Sequence, residues 1–364
     1  MTQRIGIVTG GGDCPGLNAV IRAVAKAAAK RGWETIGFLG GYEGMLDPPK
    51  YRALNYQELG GLLTRGGTIL GTANRGRFSA KVGHGDSRRL PQELIDSVKA
   101  TMQKMSICGL VSIGGDGSLS IAQQLFEGGV PIVGVPKTID NDLRGTAFTF
   151  GFDSAVACAT DALDRLHTTA ESHNRVIVLE VMGRYAGWIA IYAGVAGGAD
   201  VILIPEIPFT YESVCAKIRE REQHDRHFTI IIAAEGAREK DSGFVTAAGQ
   251  QENREARLGG VGAVVAAEVE KRTGKESRAC VLGHLQRGGS PTNFDRALCS
   301  MYGAKAVELI AEGQYGQMVA FQATGIGAVQ ISEAVGQLKT VPPDGSLART
   351  ARALGICFGD EFDS

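Results

Sequence analysis

Several features that would assign the chain to a specialised class are missing from the sequence. No stretch reaches the ~20 apolar residues that span a bilayer, and the first residues form no charged-then-apolar leader. Lysine and arginine number 38 against 39 acidic residues, so the net charge of −1 offers no footprint for nucleic acid or an anionic membrane. Seven scattered cysteines without a CxxC pair argue against zinc sites and disulfides. We expect a soluble, cytoplasmic protein with neither a membrane nor a nucleic-acid partner.

Glycine, by contrast, is abundant, with 51 of the 364 residues. Two glycine-aspartate turns, GGGD (residues 10–13) and GGDGS (residues 114–118), each follow a short apolar run and precede a helical pattern. Glycine lets the backbone approach an anion, so that amide groups and a helix N-terminus can point at phosphate oxygens. One such turn is more often a plain connection, but the repetition predicts a polyphosphate ligand. Neither turn matches a P-loop or a dinucleotide fingerprint.

Apolar runs alternate with helical patterns along most of the chain. The predicted strands cover residues 5–8, 35–39, 110–113, 131–135, 176–181, 201–204, 229–233 and 278–282. The predicted helices cover residues 18–30 with Asn18 as the cap, then from 118, 153–170, 186–196, 211–223 and 261–272. Residues 41–89 are less periodic and predict loops with short helices. This alternation predicts an α/β fold of two doubly wound lobes with mainly parallel sheets and an active site in the cleft between them.

The segment KTIDND (residues 137–142) follows a predicted strand and places two carboxylates two residues apart. A carboxylate base beside an acceptor hydroxyl, with further acids around Mg²⁺, is what phosphoryl transfer needs. Taken alone, the segment would more often be a solvated turn. The glycine turns at the same predicted sheet edge favour the catalytic interpretation.

Six motifs together give a specific resemblance. GGGDCPGLNAVIR, IGGDGS, KTIDND, SHNR, EVMGRYAGW and LGHLQRGGSPT occur in the order seen in the 6-phosphofructokinase family. The sequence resembles that family from residue 6 to about residue 296. The resemblance implies a larger nucleotide-binding lobe of residues 1–151 plus about 286–336. It also implies a smaller lobe that binds fructose 6-phosphate, of residues 152–285 plus 337–364.

The resemblance also implies catalytic roles. Asp140 would be the general base that deprotonates the 1-hydroxyl of fructose 6-phosphate. Arg184 would neutralise the transferred phosphoryl group, with help from Thr138 and the amide of Gly12. Asp116 and Asp142 resemble the acid pair that is linked to Mg²⁺. The implied reaction is the committing step of glycolysis, with ATP as donor.

Binding roles follow from the same resemblance. The nucleotide would contact a set that includes a stacking tyrosine and a polyphosphate-binding arginine: Gly12, Tyr42, Arg75, Gly115, Asp116, Gly117 and Ser118. The sugar 6-phosphate would be held by Arg175, Arg278, His284 and Arg287. The sugar ring would meet Met182, Gly183 and Glu235, besides Thr138, Asp140, Asp142 and Arg184. In related enzymes the matches of Arg175 and Arg278 come from a neighbouring subunit, which implies a homo-oligomer, a tetramer of dihedral form.

The phosphoryl donor leaves alternatives open. Gly117 resembles ATP users, because an aspartate at that position would crowd and repel the α-phosphate, whereas Lys137 resembles pyrophosphate users. ATP is the main expectation and pyrophosphate the alternative. GGDG turns also occur in NAD kinases and lipid kinases, and a regulator without catalysis could keep both turns. The presence of both Asp140 and Arg184 favours the enzyme.

Overall fold

The computed structural model describes residues 3–73, 76–78, 89–243 and 259–360. The chain forms two compact units. The first unit consists of Met1–Ser154 and Arg287–Leu338, and the second of Ala155–Gln286 and Lys339–Ser364. Each unit contains a mainly parallel sheet with helices, which confirms the predicted fold class.

Within the described residues, the sheet of the first unit has seven strands in the order β11-β10-β5-β4-β1-β2-β3. These are β1 (Arg4–Thr9), β2 (Glu34–Phe38), β3 (Tyr51–Ala53), β4 (Ile107–Gly114), β5 (Ile132–Pro136), β10 (Gln317–Gln322) and β11 (Gly325–Gln330). Its helices are α1 (Leu17–Lys30), α2 (Gln92–Lys104), α3 (Asp116–Glu127), α8 (Asn293–Ala311) and α9 (Ile331–Ala334). The edge strands β3 and β11 run antiparallel to their neighbours.

The central strands of this sheet are covered on both faces. Residues 5–9 of β1 and all of β5 are buried, as expected for parallel strands between helix layers. Helix α1 packs closely against α8, because Gly303 has no side chain. A Cβ at Gly303 would lie 2.6 Å from the Cβ of Ala23.

The sheet of the second unit has four parallel strands, counted over the described part of the chain, in the order β7-β8-β6-β9. These are β6 (Val176–Val181), β7 (Val201–Leu203), β8 (Thr229–Ala234) and β9 (Ser277–Val281). The helices that lie wholly or mostly in this unit are α4 (Phe152–His173), α5 (Trp188–Ala196), α6 (Tyr211–Gln223), α7 (Val261–Thr273) and α10 (Ser346–Ala353). Strand β9 is an edge strand, and three of its five residues are exposed.

The predicted cap of the first helix is wrong. Helix α1 begins at Leu17 after Gly16, which adopts a left-handed conformation with φ 109°. Asn18 is fully buried inside the helix, and its side-chain amide holds the loop that contains Arg65 and Gly66. No helix in the described residues is both long and apolar enough to cross a bilayer.

Candidate active site

Three strands of the first unit end side by side. The register pairs Thr9 of β1 with Ile113 of β4, and Gly114 of β4 with Pro136 of β5. Because these strands are parallel, the segments that follow them emerge at one edge of the sheet. Both glycine turns and the segment 137–142 therefore start at neighbouring positions, as the sequence predicted.

The two glycine turns meet around Ser118. A Cβ at Gly10 would lie 2.4 Å from the Ser118 Oγ, and a Cβ at Gly114 would lie 2.3 Å from the Ser118 Cβ. No side chain fits at either position without moving Ser118, which is buried in α3. The absence of side chains thus allows both turns to close around the first turn of one helix.

The N-terminus of α3 lies in the second glycine turn. Asp116 is the first residue of the helix, and its Oδ1 accepts a hydrogen bond from the Gly336 amide at 3.1 Å. Beside it, a Cβ at Gly117 would meet nothing within 4 Å, whereas one at Gly115 would lie 3.1 Å from the Lys137 carbonyl oxygen. A helix N-terminus with open space above it suits an anion.

The loop that carries Asp140 and Asp142 is held by Asn141 between them. Asn141 is buried in a left-handed conformation with φ 49°, which asparagine tolerates better than most residues. Its Oδ1 accepts from the Thr149 amide at 3.0 Å, and its Nδ2 donates to the Ala147 carbonyl at 3.2 Å. The residues on either side, Asp140 and Asp142, are each partly exposed. The amide of Asp140 donates to the Thr138 hydroxyl at 3.1 Å.

Lys137 is buried at the start of the same loop, with 4% of its surface exposed. Its Nζ donates to the Gly12 carbonyl at 2.5 Å. Burial lowers the pKa of Lys137, whereas the nearby Asp140 and Asp142 carboxyls oppose that shift. The ammonium group is therefore engaged with the first glycine turn in this structure.

Tyr42 and Arg75 were both predicted to contact the nucleotide, but only Tyr42 lies within the described residues. Tyr42 is 5% exposed, packs on Phe78, and forms a hydrogen bond with the Ser112 hydroxyl at 2.6 Å. Burial raises the pKa of the Tyr42 phenol far above its usual range. A ring this buried leaves little surface on which a base could stack, which argues against the role predicted for Tyr42. Arg75 lies outside the described residues.

In the second unit, a group of predicted residues lies at the carboxyl edge of the sheet. Met182, Gly183 and Arg184 follow β6, and Glu235 follows the neighbouring strand β8, where its amide donates to the Val181 carbonyl at 2.8 Å. Exposed His284 follows β9 on the other side of β6. The structure therefore brings these five residues to one edge.

Arg175 and Arg278 lie at the opposite edge of that sheet, where the amino ends of its strands are. Arg175 precedes β6, and Arg278 is the second residue of β9. Glu276 joins the two arginines: it binds the Arg175 Nε at 2.7 Å and the Arg278 Nη2 at 2.5 Å. The six residues of β6 separate this edge from Met182 by about 20 Å. One chain therefore does not bring all the predicted phosphate ligands together.

Arg287 belongs to the first unit, where it meets the first glycine turn. Its Nη1 donates to the Asp13 carbonyl at 3.2 Å. A Cβ at Gly12 would lie 2.8 Å from that nitrogen. The described residues contain no group of three or more histidine, cysteine, aspartate or glutamate side chains arranged to hold a metal ion.

Comparison with known proteins assigns the family. The family described as Phosphofructokinase matches residues 4–310. The chain belongs to the phosphofructokinase family. An ATP-dependent 6-phosphofructokinase of Chloroflexus aurantiacus is 54% identical over 360 residues, which cover 99% of each chain. A pyrophosphate–fructose 6-phosphate 1-phosphotransferase of Amycolatopsis methanolica is 48% identical over 344 residues, which cover 94% of this chain and 97% of that protein.

Solved phosphofructokinase structures share the fold. The Pichia pastoris enzyme in the T-state is 30% identical with a TM-score of 0.79, over 92% of this chain and 35% of that one. This chain therefore spans about a third of the length of the yeast chain. A pyrophosphate-dependent enzyme from Marinobacter aquaeolei is 23% identical with a TM-score of 0.77, over 100% of this chain and 93% of that one, and shows the fold alone.

The backbone of Arg184 approaches Gly236 so closely that no side chain fits at position 236. A Cβ at Gly236 would lie 2.0 Å from the Arg184 carbonyl oxygen, and a main-chain atom cannot swing away as a side chain can. We expect Gly236→Ala to displace the Arg184 segment, to lower kcat by about tenfold or more, and to lower the melting temperature. Steady-state kinetics and thermal melting measure both effects. Gly60→Ala, at a position with open space, is the matched control, and a wild-type kcat for Gly236→Ala would contradict the expectation.

Three residues for which no role was predicted hold parts of the candidate site in place. Asn141 anchors the loop of the two acids, and Glu276 joins two arginines. Gln286, only 1% exposed, accepts a hydrogen bond from the Met182 amide at 2.7 Å. Asn141 carried a sequence signal, because an asparagine between two acids in a tight loop suits a left-handed conformation. The contacts of Glu276 and Gln286 join segments far apart in sequence, so no local pattern reveals them.

Proposed function

We propose that this chain transfers the terminal phosphoryl group of ATP to the 1-hydroxyl of fructose 6-phosphate. The products are fructose 1,6-bisphosphate and ADP, and the reaction is the committing step of glycolysis. The main support is the meeting of two glycine turns and a two-carboxylate loop at the ends of β1, β4 and β5. Phosphofructokinase relatives that cover nearly the whole chain support the same reaction.

In this proposal Asp140 is the general base. It takes the proton of the 1-hydroxyl while that oxygen bonds to the γ-phosphorus, and the bond from phosphorus to the β-phosphate bridging oxygen breaks. The anchoring of Asn141 supports this role, because a base must be held within hydrogen-bonding reach of its proton. The amide of Gly12 and the side chains of Thr138 and Arg184 would stabilise the negative charge of the transferred group.

The sugar phosphate would be held by residues of the second unit, and Arg287 of the first unit is a further proposed ligand of its 6-phosphate. Met182, Gly183 and Glu235 would contact the ring, and His284 would contact the 6-phosphate. Gln286 supports this assignment, because its hydrogen bond fixes the Met182 backbone. Arg175 and Arg278 would supply the planar, permanently charged groups that suit a phosphate.

Mg²⁺ is proposed as the metal of the reaction, held by Asp116 and Asp142. The donor set fits, because Mg²⁺ prefers hard oxygen ligands and is usually bound by one or two carboxylates together with substrate phosphates. Both carboxylates belong to segments that follow neighbouring strands, β4 and β5. When bound, the ion would neutralise charge on the donor phosphates.

ATP is the proposed donor, and Gly117 is the residue that favours it. The open space beside Gly117 leaves room for the α-phosphate of a nucleotide. Pyrophosphate remains the second candidate, because Lys137 resembles pyrophosphate users and the Amycolatopsis relative carries that activity in its name. The contact of Lys137 with the Gly12 carbonyl gives this lysine a role that does not depend on the donor.

The donor assignment predicts the behaviour of Gly117→Asp. Wild-type protein should form fructose 1,6-bisphosphate with ATP and not with pyrophosphate at matched Mg²⁺. Gly117→Asp should raise KM for ATP by about tenfold or more, because the added carboxylate would repel the α-phosphate. Gly117→Ala is the control, since a methyl group fits the open space and alanine favours a helix. If the wild-type protein turned over with pyrophosphate and not with ATP, the donor assignment would be reversed.

A homo-oligomer is proposed, and the family resemblance implies a tetramer of dihedral form. The position of the phosphate ligands at the two ends of one set of strands supports the association of at least two copies. Arg175 and Arg278 are about 20 Å from Met182 within a chain, so a second copy must supply them to a sugar bound at the carboxyl edge. The surface around edge strand β9 suits association. Val281 and Val264 are exposed there, with 55% and 45% of their surface accessible. A closed symmetric dimer would build two sites at once.

The cytoplasm is the proposed compartment. All seven cysteines are free thiols. Disulfides are rare where glutathione and thioredoxin keep thiols reduced. A glycolytic step also belongs in the compartment that holds its sugar phosphates.

A further inference from the structure

Three successive carbonyl groups of the first glycine turn each accept a hydrogen bond from a different side chain. The Thr72 Oγ1 donates to the Gly11 carbonyl at 2.6 Å, and the Lys137 Nζ donates to the Gly12 carbonyl at 2.5 Å. The Arg287 Nη1 donates to the Asp13 carbonyl at 3.2 Å. These donors come from three separate segments of the chain, all within the first unit.

This arrangement fixes the direction of the amide groups in the turn. A carbonyl and the N–H of the next residue belong to one planar trans peptide and point in opposite directions. Thr72 and Lys137 hold the carbonyls of Gly11 and Gly12. The N–H groups of Gly12 and Asp13 therefore point away from these two side chains. The Thr72 hydroxyl acts on the peptide that carries the Gly12 amide, the group expected to meet the transferred phosphoryl.

We propose that Thr72 and Lys137, together with Arg287, are positioning residues that aim the amides of the first glycine turn at the phosphoryl donor. The proposal rests on the function proposed above, because that function gives the Gly12 amide its task. Amides that are already oriented stabilise transition-state charge without reorganisation during the reaction. Glycine residues alone cannot provide this, because their backbone is the least restricted of all.

The segment that carries Thr72 is itself held against this edge of the sheet. The Thr9 Oγ1 donates to the Gly71 carbonyl at 2.7 Å, and the Asn18 Oδ1 accepts from the Ile69 amide at 2.8 Å. Both Thr9 and Asn18 are fully buried. The Thr72 hydroxyl is therefore presented from a supported backbone, as a positioning group requires.

Lys137 acquires a defined task from the same arrangement. A Cβ at Gly11 would lie 3.2 Å from its Nζ, so the ammonium group sits directly against the turn. The task is the same whether ATP or pyrophosphate supplies the phosphoryl group. A lysine at this position is then compatible with either donor, and the donor is chosen elsewhere.

The test compares Thr72→Val, which removes the hydroxyl, with Thr72→Ser, which keeps it. Kinetics are measured with fructose 6-phosphate and whichever donor the wild-type protein uses. We expect Thr72→Val to lower kcat by about tenfold, while KM for fructose 6-phosphate and the melting temperature stay close to wild type. Thr72→Ser should restore kcat. A wild-type kcat for Thr72→Val, or a fall in melting temperature alone, would overturn the proposal.

A double-mutant cycle tests whether Lys137 acts through the same turn. Lys137→Met keeps the volume of the side chain and removes the ammonium group. Because both residues would act on one group of amides, the loss of kcat in Thr72→Val/Lys137→Met should be smaller than the product of the single losses. Losses that multiply would show that the two residues act independently and would overturn the shared role.

The outcomes separate this proposal from the function on which it rests. An absence of product with either donor in the wild-type protein would sink the proposed function. An active wild-type protein whose Thr72→Val and Thr72→Ser variants match it would leave that function intact and reject the positioning role alone.

Discussion

Asp140→Asn is expected to lower kcat by about 10² to 10⁴, the range that a general base contributes. Asparagine keeps the shape of the side chain and cannot take a proton from the 1-hydroxyl. The loop should stay in place, because Asn141 anchors it to Thr149 and Ala147. Binding of fructose 6-phosphate, measured by calorimetry, should therefore change little while turnover is nearly lost.

Asp161→Asn provides the matched control for this variant. Asp161 is a surface carboxylate, 65% exposed, paired with Arg165 one helical turn away. Its amide variant should keep wild-type kinetics, because exposed pairs of this kind contribute little to stability. If Asp140→Asn retained turnover within about threefold of wild type, well short of the loss expected for a general base, another group would have to be the base.

Mixing two defective chains should restore activity. Arg278→Ala should weaken binding of the sugar phosphate, and Asp140→Asn should remove nearly all turnover. If each site takes Asp140 from one chain and Arg278 from another, a mixed dimer holds one intact site. Random pairing at equal amounts should then give about a quarter of the wild-type activity. Co-expression with two affinity tags and assay at low fructose 6-phosphate, where either variant alone is nearly inactive, measures this recovery.

A second mixture tests whether any mixing of defective chains raises activity, even when no intact site can form. Arg175→Ala with Arg278→Ala places both defects in the edge group of the second unit. Because both residues would then come from one chain, a mixed dimer contains no intact site. That mixture should stay at the low activity of its components. Equal activity of the two mixtures, or no recovery in the first, would contradict sharing of sites between copies.

Buried parallel strands were the part of the fold that the sequence predicted best. β6 was predicted to its residue bounds, and β1 to within one residue at each end. Both are short apolar runs that are buried on two faces, so their pattern depends on local residues alone. β11 (Gly325–Gln330) has no such run, and it forms by pairing with β10 at an edge. No local signal marks a strand of that kind.

In the candidate site too, features set by local sequence could be predicted, and contacts between distant segments could not. The meeting of the glycine turns could be predicted, because neighbouring parallel strands bring their carboxyl ends to one edge. The wrong assignment of Asn18 has a physical reason: the side chain that suits a helix cap also suits any backbone amide or carbonyl nearby. Here the partners of Asn18 lie about fifty positions away, at Gly66 and Ile69. The catalytic and binding roles of the individual side chains stay predictions.

If an anion binds to Arg175 and Arg278 as proposed, their pairing with Glu276 makes that binding an exchange. Arg175 and Arg278 already share one carboxylate, so an incoming anion displaces a tethered competitor instead of filling a vacant site. A monovalent ion such as chloride gains little from that exchange. A phosphate dianion brings more charge and several acceptor oxygens, and it can bridge both guanidinium groups. We therefore expect this edge to prefer anions of higher valence.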